Sequence, residues 1–137
     1  MSEKPTRESN IIDFNKAAGH SVNNCLNVMD LRQSLTLIKE EYLELQEVAL
    51  ECLHCLSNSR SLTKEQKVHL IKELGDLQYV VSRMAVVFGI NLQEVFERIH
   101  KSNMSKVENG VTKDPVSGKI LKGPNYVHPN LEDLIND

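Results

Sequence analysis

Apolar side chains recur at three- and four-residue steps through much of the chain, the period of helices with one covered face. The longest run extends from about Val28 to Leu56, with Leu31, Leu35, Ile38, Tyr42, Leu45, Ala49 and Leu53 in its stripe. A second runs from about Lys64 to Phe88 through Leu70, Leu74, Leu77, Val81 and Met84, and Gly89 closes it. Ahead of both, "RESNIIDFNKAAG" carries Ile11, Ile12 and Phe14 and stops at Gly19, as a short helix does. Leu92, Val95, Phe96 and Ile99 define a fourth helix that reaches about Asn103. Thr63 with Gln66, Asn91 with Glu94 and Asp30 with Gln33 share the spacing of a capping box, in which side chains satisfy the free N–H groups of a helix start.

After residue 106 the pattern changes, because most of the Pro and Gly lie there. "VTKDPVSGKIL" reads as two short extended pieces around a turn, a candidate hairpin. "GPNYVHPNLEDLIND" reads as an extended arm. The expected fold is all-α: a four-to-five-helix bundle with two long antiparallel helices and an irregular C-terminal tail over 107–137. The 137 residues suit a single domain, with residues 1–6 as a flexible leader.

Composition narrows the setting. The chain is 40% apolar and 26% charged, as folded proteins are, and its net charge of −3 argues against a nucleic-acid partner, which needs a basic face. No apolar run approaches the roughly 18 residues that span a membrane, and "MSEKPTRESN" lacks the apolar centre of a secretory signal. Three cysteines give no disulfide framework, so a cytoplasmic setting is expected. "CLHC" (Cys52, His54, Cys55) has no second ligand pair to complete a zinc site and reads as buried helical cysteines. Leu43, Leu50, Ile71, Tyr79 and Val86 fall off the main stripes, and excess apolar surface of this kind predicts burial against another subunit.

The carboxylates are the anomaly. On a helical wheel Glu41 of "IKEEYLEL" falls in line with Ile38, Leu45 and Val48, inside the apolar arc; Glu44 borders it and Glu40 lies just beyond. In "KELGDLQYV", Glu73 falls in line with Leu77, Val80 and Met84, with Asp76 at the edge. An ionised carboxylate among leucines is costly unless paired or bound to a cation. Lys39, Lys72 and Arg83 are expected to point away from these arcs. Carboxylates on two facing helices are therefore expected to converge on Mg²⁺, with Mn²⁺ as a substitute. Gly75 between Glu73 and Asp76 fits a place where something approaches closely.

E-E-x-x-E (Glu40, Glu41, Glu44) followed on the next helix by E-x-x-D (Glu73, Asp76) resembles the MazG-like all-α nucleoside triphosphate pyrophosphatases. "HKSNMSK" and "GKILKGPNY" are similar to a branch of that group related to phosphoribosyl-ATP pyrophosphatase. The resemblance implies Mg²⁺-dependent hydrolysis of a nucleoside triphosphate to the monophosphate and pyrophosphate, with all five carboxylates holding metal. It also implies that Asn103 and Lys106 contact the nucleotide, and that the chain forms a dimer or a dimer of dimers. Glu41 or Glu44 is the candidate to take the proton of the attacking water. Lys119 and Lys122 of the basic tail would join the substrate contacts, and Tyr126 would stack on a base or anchor the arm. Two departures from the family pattern stand out: "ENG" (Glu108, Asn109, Gly110) replaces an Asp-Gly, and Lys72 replaces an acid, the latter expected to leave the metals untouched.

Three other readings compete. Phosphoribosyl-ATP itself is one alternative substrate. A di-iron oxidoreductase would use the two E-x-x-H pairs, Glu51/His54 and Glu97/His100, but the wheel puts these off the apolar lines. A non-catalytic helical scaffold would leave the inward glutamates without a role.

Overall fold

The computed structural model describes residues 4–108 and 110–135, and among them there are four α-helices and no strand. They are α1 (Arg7–Ala18), α2 (Val28–Ser57), α3 (Lys64–Val87) and α4 (Leu92–Ser105), followed by a 3₁₀ turn at Glu132–Leu134. The all-α expectation therefore holds. Residues 1–3 of the expected leader, Asn109 of "ENG" and residues 136–137 of the arm lie outside the described residues. The chain groups into two compact units, Met1–Gly89 and Ile90–Asp137.

In the first unit the helix ends follow local chemistry. Thr6 and Ser9 cap α1 reciprocally, and Gly19 ends it in the left-handed region at φ 72°. Thr63 and Gln66 form the expected capping box on α3. The Asp30/Gln33 box does not form, because Asn27 caps α2 by accepting from the Asp30 N–H. The Asp30 carboxylate instead takes hydrogen bonds from Ser21, Asn24 and Asn27, which hold it below the usual carboxylate range. The loop before α2 also docks on the end of α3, where Asn23 and Asn24 N–H groups donate to the Val86 and Val87 carbonyls.

Helices α2 and α3 run antiparallel: Arg83 donates to Gln33 near one end of the pair, and Gln66 donates to Glu51 near the other. Helix α1 packs on α3, with the Phe14 and Tyr79 rings edge to face at 5.9 Å. The buried apolar set is small, comprising Ile11, Val48, Cys52, Val80 and the run Ala85, Val86, Val87 and Phe88. Cys52 is buried and free, as expected of a helical cysteine, whereas Cys55 is free and only half-buried.

Several expected inward residues face solvent in the chain. On α2, Leu31, Leu35, Tyr42 and Leu53 are exposed; on α3, Leu74 and Val81 are, with Leu35 at 57% and Leu74 at 58%. The covered lines lie one position away, through Ser34, Val48 and Cys52 on α2 and Glu73, Val80 and Val87 on α3. Both helices carry apolar residues around more than one face, so periodicity cannot single out the face that pairs. Leu43, Leu50, Ile71 and Tyr79 are exposed as off-stripe residues should be, whereas Val86 is buried. Phe96 and Ile99 of α4, expected inward, are also exposed.

In the second unit Asn91 caps α4 by accepting from the Glu94 N–H, while the Glu94 carboxylate turns to Arg98 rather than back to the cap. The candidate hairpin reduces to one antiparallel bridge between Lys113 and Ile120, its turn held by Asp114, whose carboxylate accepts from the Val116 and Ser117 N–H groups. The arm then returns along α4. The Ser105 hydroxyl accepts from the Val127 N–H, and Arg98 donates to the Asn130 carbonyl and the Asp133 carboxylate. At Gly123 the arm lies so close to α4 that a Cβ would stand 2.7 Å from the Lys106 carbonyl oxygen, which only glycine avoids.

Candidate metal centre

The α2–α3 pairing brings Glu41 of one helix against Glu73 and Asp76 of the other, with a ligand-capable oxygen from each within 4.8 Å of the others. Among the described residues this is the one such cluster of His, Cys, Asp and Glu side chains. Glu73 is 4% exposed, and Glu41 and Asp76 are half-buried. Glu41 Oε2 and Glu73 Oε2 are buried with no hydrogen-bond partner in the protein. Buried carboxylate oxygens are rarely left in that condition. Burial pushes the Glu41 carboxyl up from its ordinary value, and the neighbouring Glu44, Asp76 and Glu73 charges push it further.

Oxygen donors of this kind suit a hard divalent cation such as Mg²⁺ or Mn²⁺, and two inward oxygens without partners are what such an ion would satisfy. Glu40 and Glu44 are exposed and stand outside the three-residue cluster, although Glu44 lies within hydrogen-bonding reach of Glu41. The pairs Glu51/His54 and Glu97/His100 do not enter it either.

The placement of the basic residues differs from expectation. The Lys72 ammonium lies 2.8 Å from Asp76 Oδ2 and 3.4 Å from Glu73 Oε1, so it reaches the cluster rather than pointing away. His69 Nε2 stands 3.3 Å from the same Glu73 Oε1. Wheel angles follow the Cα–Cβ direction, but a lysine stem is long enough to carry its ammonium forward by one turn. The i,i+4 spacings His69–Glu73 and Lys72–Asp76 carried that signal in the sequence. Arg83 is also buried, at 5% exposure, and donates to Gln33.

In the second unit, the Lys106 and Lys122 ammoniums sit 5.8 and 4.7 Å from the centre of the Tyr126 ring. Three of the five expected substrate residues are thereby brought together, and Asn103 and Lys119 are exposed. No carboxylate forms an ion pair with either of these lysines among the described residues.

Fold and cluster together define an all-α protein presenting an acidic site able to hold a divalent cation. The family profile described as phosphoribosyl-ATP pyrophosphohydrolase matches residues 16–103, more than half of the chain, including both carboxylate motifs and Asn103. The chain belongs to that family, within the MazG-like all-α nucleoside triphosphate pyrophosphatases, and is a pyrophosphohydrolase acting on a nucleotide. No curated protein matches it.

Proposed function

We propose that this protein cleaves a nucleoside triphosphate to the monophosphate and pyrophosphate in a reaction that requires Mg²⁺, with Mn²⁺ as a substitute. The observation that carries the reading is the convergence of Glu41, Glu73 and Asp76, with two buried carboxylate oxygens lacking a partner in the protein. These three residues would hold the cation, with Glu40 and Glu44 completing its surroundings. A divalent cation there supplies neutralisation of phosphate charge and a water made acidic enough to attack.

Glu41 is proposed to take the proton of the attacking water. Glu44 beside it is the alternative base. Asn103, Lys106, Lys119, Lys122 and Tyr126 are proposed as substrate contacts, since paired lysines without carboxylate partners suit an anionic ligand. With both ammoniums against its ring, Tyr126 serves better as an anchor for them than as a platform for a base.

Phosphoribosyl-ATP is the second substrate reading, favoured by the description of the matching family. The broad exposed apolar surface of α2 and α3 supports a homodimer or homotetramer. Nucleic acid and membrane are not proposed as partners, and among the described residues no helix is long and apolar enough to cross a membrane. A cytoplasmic location is proposed, in accord with three free cysteines.

The test is a pyrophosphate-release screen over the common ribo- and deoxynucleoside triphosphates and phosphoribosyl-ATP, with Mg²⁺, with Mn²⁺ and with chelator. Release confined to the metal-containing reactions is expected. Turnover in chelator, or none on any nucleotide, would refute the reading. Running the active case in ¹⁸O-labelled water identifies whether the α- or the β-phosphorus is attacked.

A further inference from the structure

The four carboxylate oxygens of Glu73 and Asp76 do not share one environment. Glu73 Oε1 accepts from the Lys72 ammonium at 3.4 Å, and the His69 Nε2 stands 3.3 Å from the same oxygen. Asp76 Oδ2 is held by the same ammonium at 2.8 Å. Glu73 Oε2 is buried and unpartnered, as is Glu41 Oε2 across the helix pair. One cation on the rim thus grips an oxygen of each α3 carboxylate, while Glu73 keeps its second oxygen free.

This division assigns work to a residue that neither charge nor wheel position would select. A carboxylate has two freedoms that weaken a ligand: rotation about its own C–C bond and a choice of rotamer. A donor fixed on one oxygen removes both and sets the direction of the other. Lys72 does this for two carboxylates at once, from a side chain that is itself 62% exposed and so contributes little to the core. Glu73 and Asp76 are an i,i+3 pair on α3, and Lys72, preceding both, bridges them through its stem.

Resting on the cation-site reading above, we propose that Lys72 is a positioning residue of the metal centre: it orients Glu73 and Asp76 as ligands from the rim. Its effect on affinity runs against simple charge. If Lys72 were only a nearby positive charge, its removal would tighten binding of a divalent cation by relieving repulsion. As a positioning residue, its removal loosens binding, because two ligands regain freedom that the ion must then suppress.

The experiment titrates Mn²⁺ alone, without nucleotide, into wild type, Lys72→Met, Lys72→Gln and Lys72→Arg, reading free Mn²⁺ by electron paramagnetic resonance. Circular dichroism melting in chelator accompanies it. The Met and Gln variants should bind Mn²⁺ about 10-fold or more weakly, the range that outer partners of metal ligands command. Metal-free melting should show each variant folded, and Lys72→Arg should restore most of the affinity. Equal or tighter Mn²⁺ binding by both neutral variants would overturn the role and leave Lys72 as a competing charge, with the metal centre intact. Absence of Mn²⁺ binding by wild type would instead remove the centre itself, and the role with it.

Discussion

Glu41 and Glu73 face each other across the α2–α3 pair, each keeping one buried carboxylate oxygen without a protein partner. Substituting either by Gln retains shape and removes charge. Pyrophosphate release should fall by at least about 100-fold in both variants, since even the loss of outer partners to metal ligands costs 10–100-fold. Glu41→Gln should also melt at a higher temperature than wild type in chelator at neutral pH. Its carboxyl is shifted upward by burial and by Glu44, Asp76 and Glu73, so the ionised form opposes folding and an uncharged amide does not. Steady-state assays and calorimetry check the two halves separately.

The start of α3 offers a test confined to stability. Thr63 and Gln66 satisfy each other's backbone N–H groups, at 3.1 and 2.9 Å. Thr63→Ala should cost about 1 kcal/mol, the typical value of a lost N-cap. Urea unfolding should register this cost with an unchanged dependence on denaturant concentration, because the surface exposed on unfolding is nearly the same.

Much of the helical architecture was legible because its signals are local. The steps of three and four residues located all four helices, and Thr63/Gln66 and Asn91/Glu94 marked two starts where the structure has them. Glu41 and Glu73 were legible as misplaced charges because a wheel needs only the helix period. What could not be read was the partner of each face. Leu35 and Leu74 look as suited to a core as Val48 and Val80, and only packing between helices decides among them. Lys72 escapes the wheel for a related reason: its Cα lies off the arc while its ammonium, several bonds away, reaches Asp76. The Asp30/Gln33 spacing suggests a cap at Asp30, but Asn27, three residues ahead of it, fills that role and frees the carboxylate to gather the loop.

Gly123 is held against the Lys106 carbonyl, and a methyl group there would intrude to 2.7 Å of a backbone oxygen. Gly123→Ala should therefore displace the arm, with a cost in the range of about 1–3 kcal/mol that overpacking incurs. Hydrogen exchange is the suitable probe: the Val127 amide, bonded to Ser105, should lose protection while the α2 and α3 amides keep theirs.

Asp133 supplies the pH dependence of the same arm. Its pairing with Arg98 holds its carboxyl below the ordinary value, so the contribution is present above the unfolded value and is lost as pH falls through the folded one. Protection of the Asn130–Leu134 amides should decline on acidification through that window. Asp133→Asn should show the loosened arm already at neutral pH and lack the acid-dependent step. An arm equally protected in wild type and Asp133→Asn at neutral pH would count against the pairing as its fastening.

Two contacts outside the carboxylate cluster bear on it through helix register. Gln33–Arg83 and Glu51–Gln66 bracket Glu41 along α2 and bracket Glu73 and Asp76 along α3. A slide of one helix past the other by a single turn, about 5.4 Å, would pull the carboxylates apart. Hydrophobic attraction is non-directional, whereas both polar contacts break in the wrong alignment. These contacts therefore index the cluster without touching it, and a chain that lost them could remain folded and helical while its carboxylates no longer met.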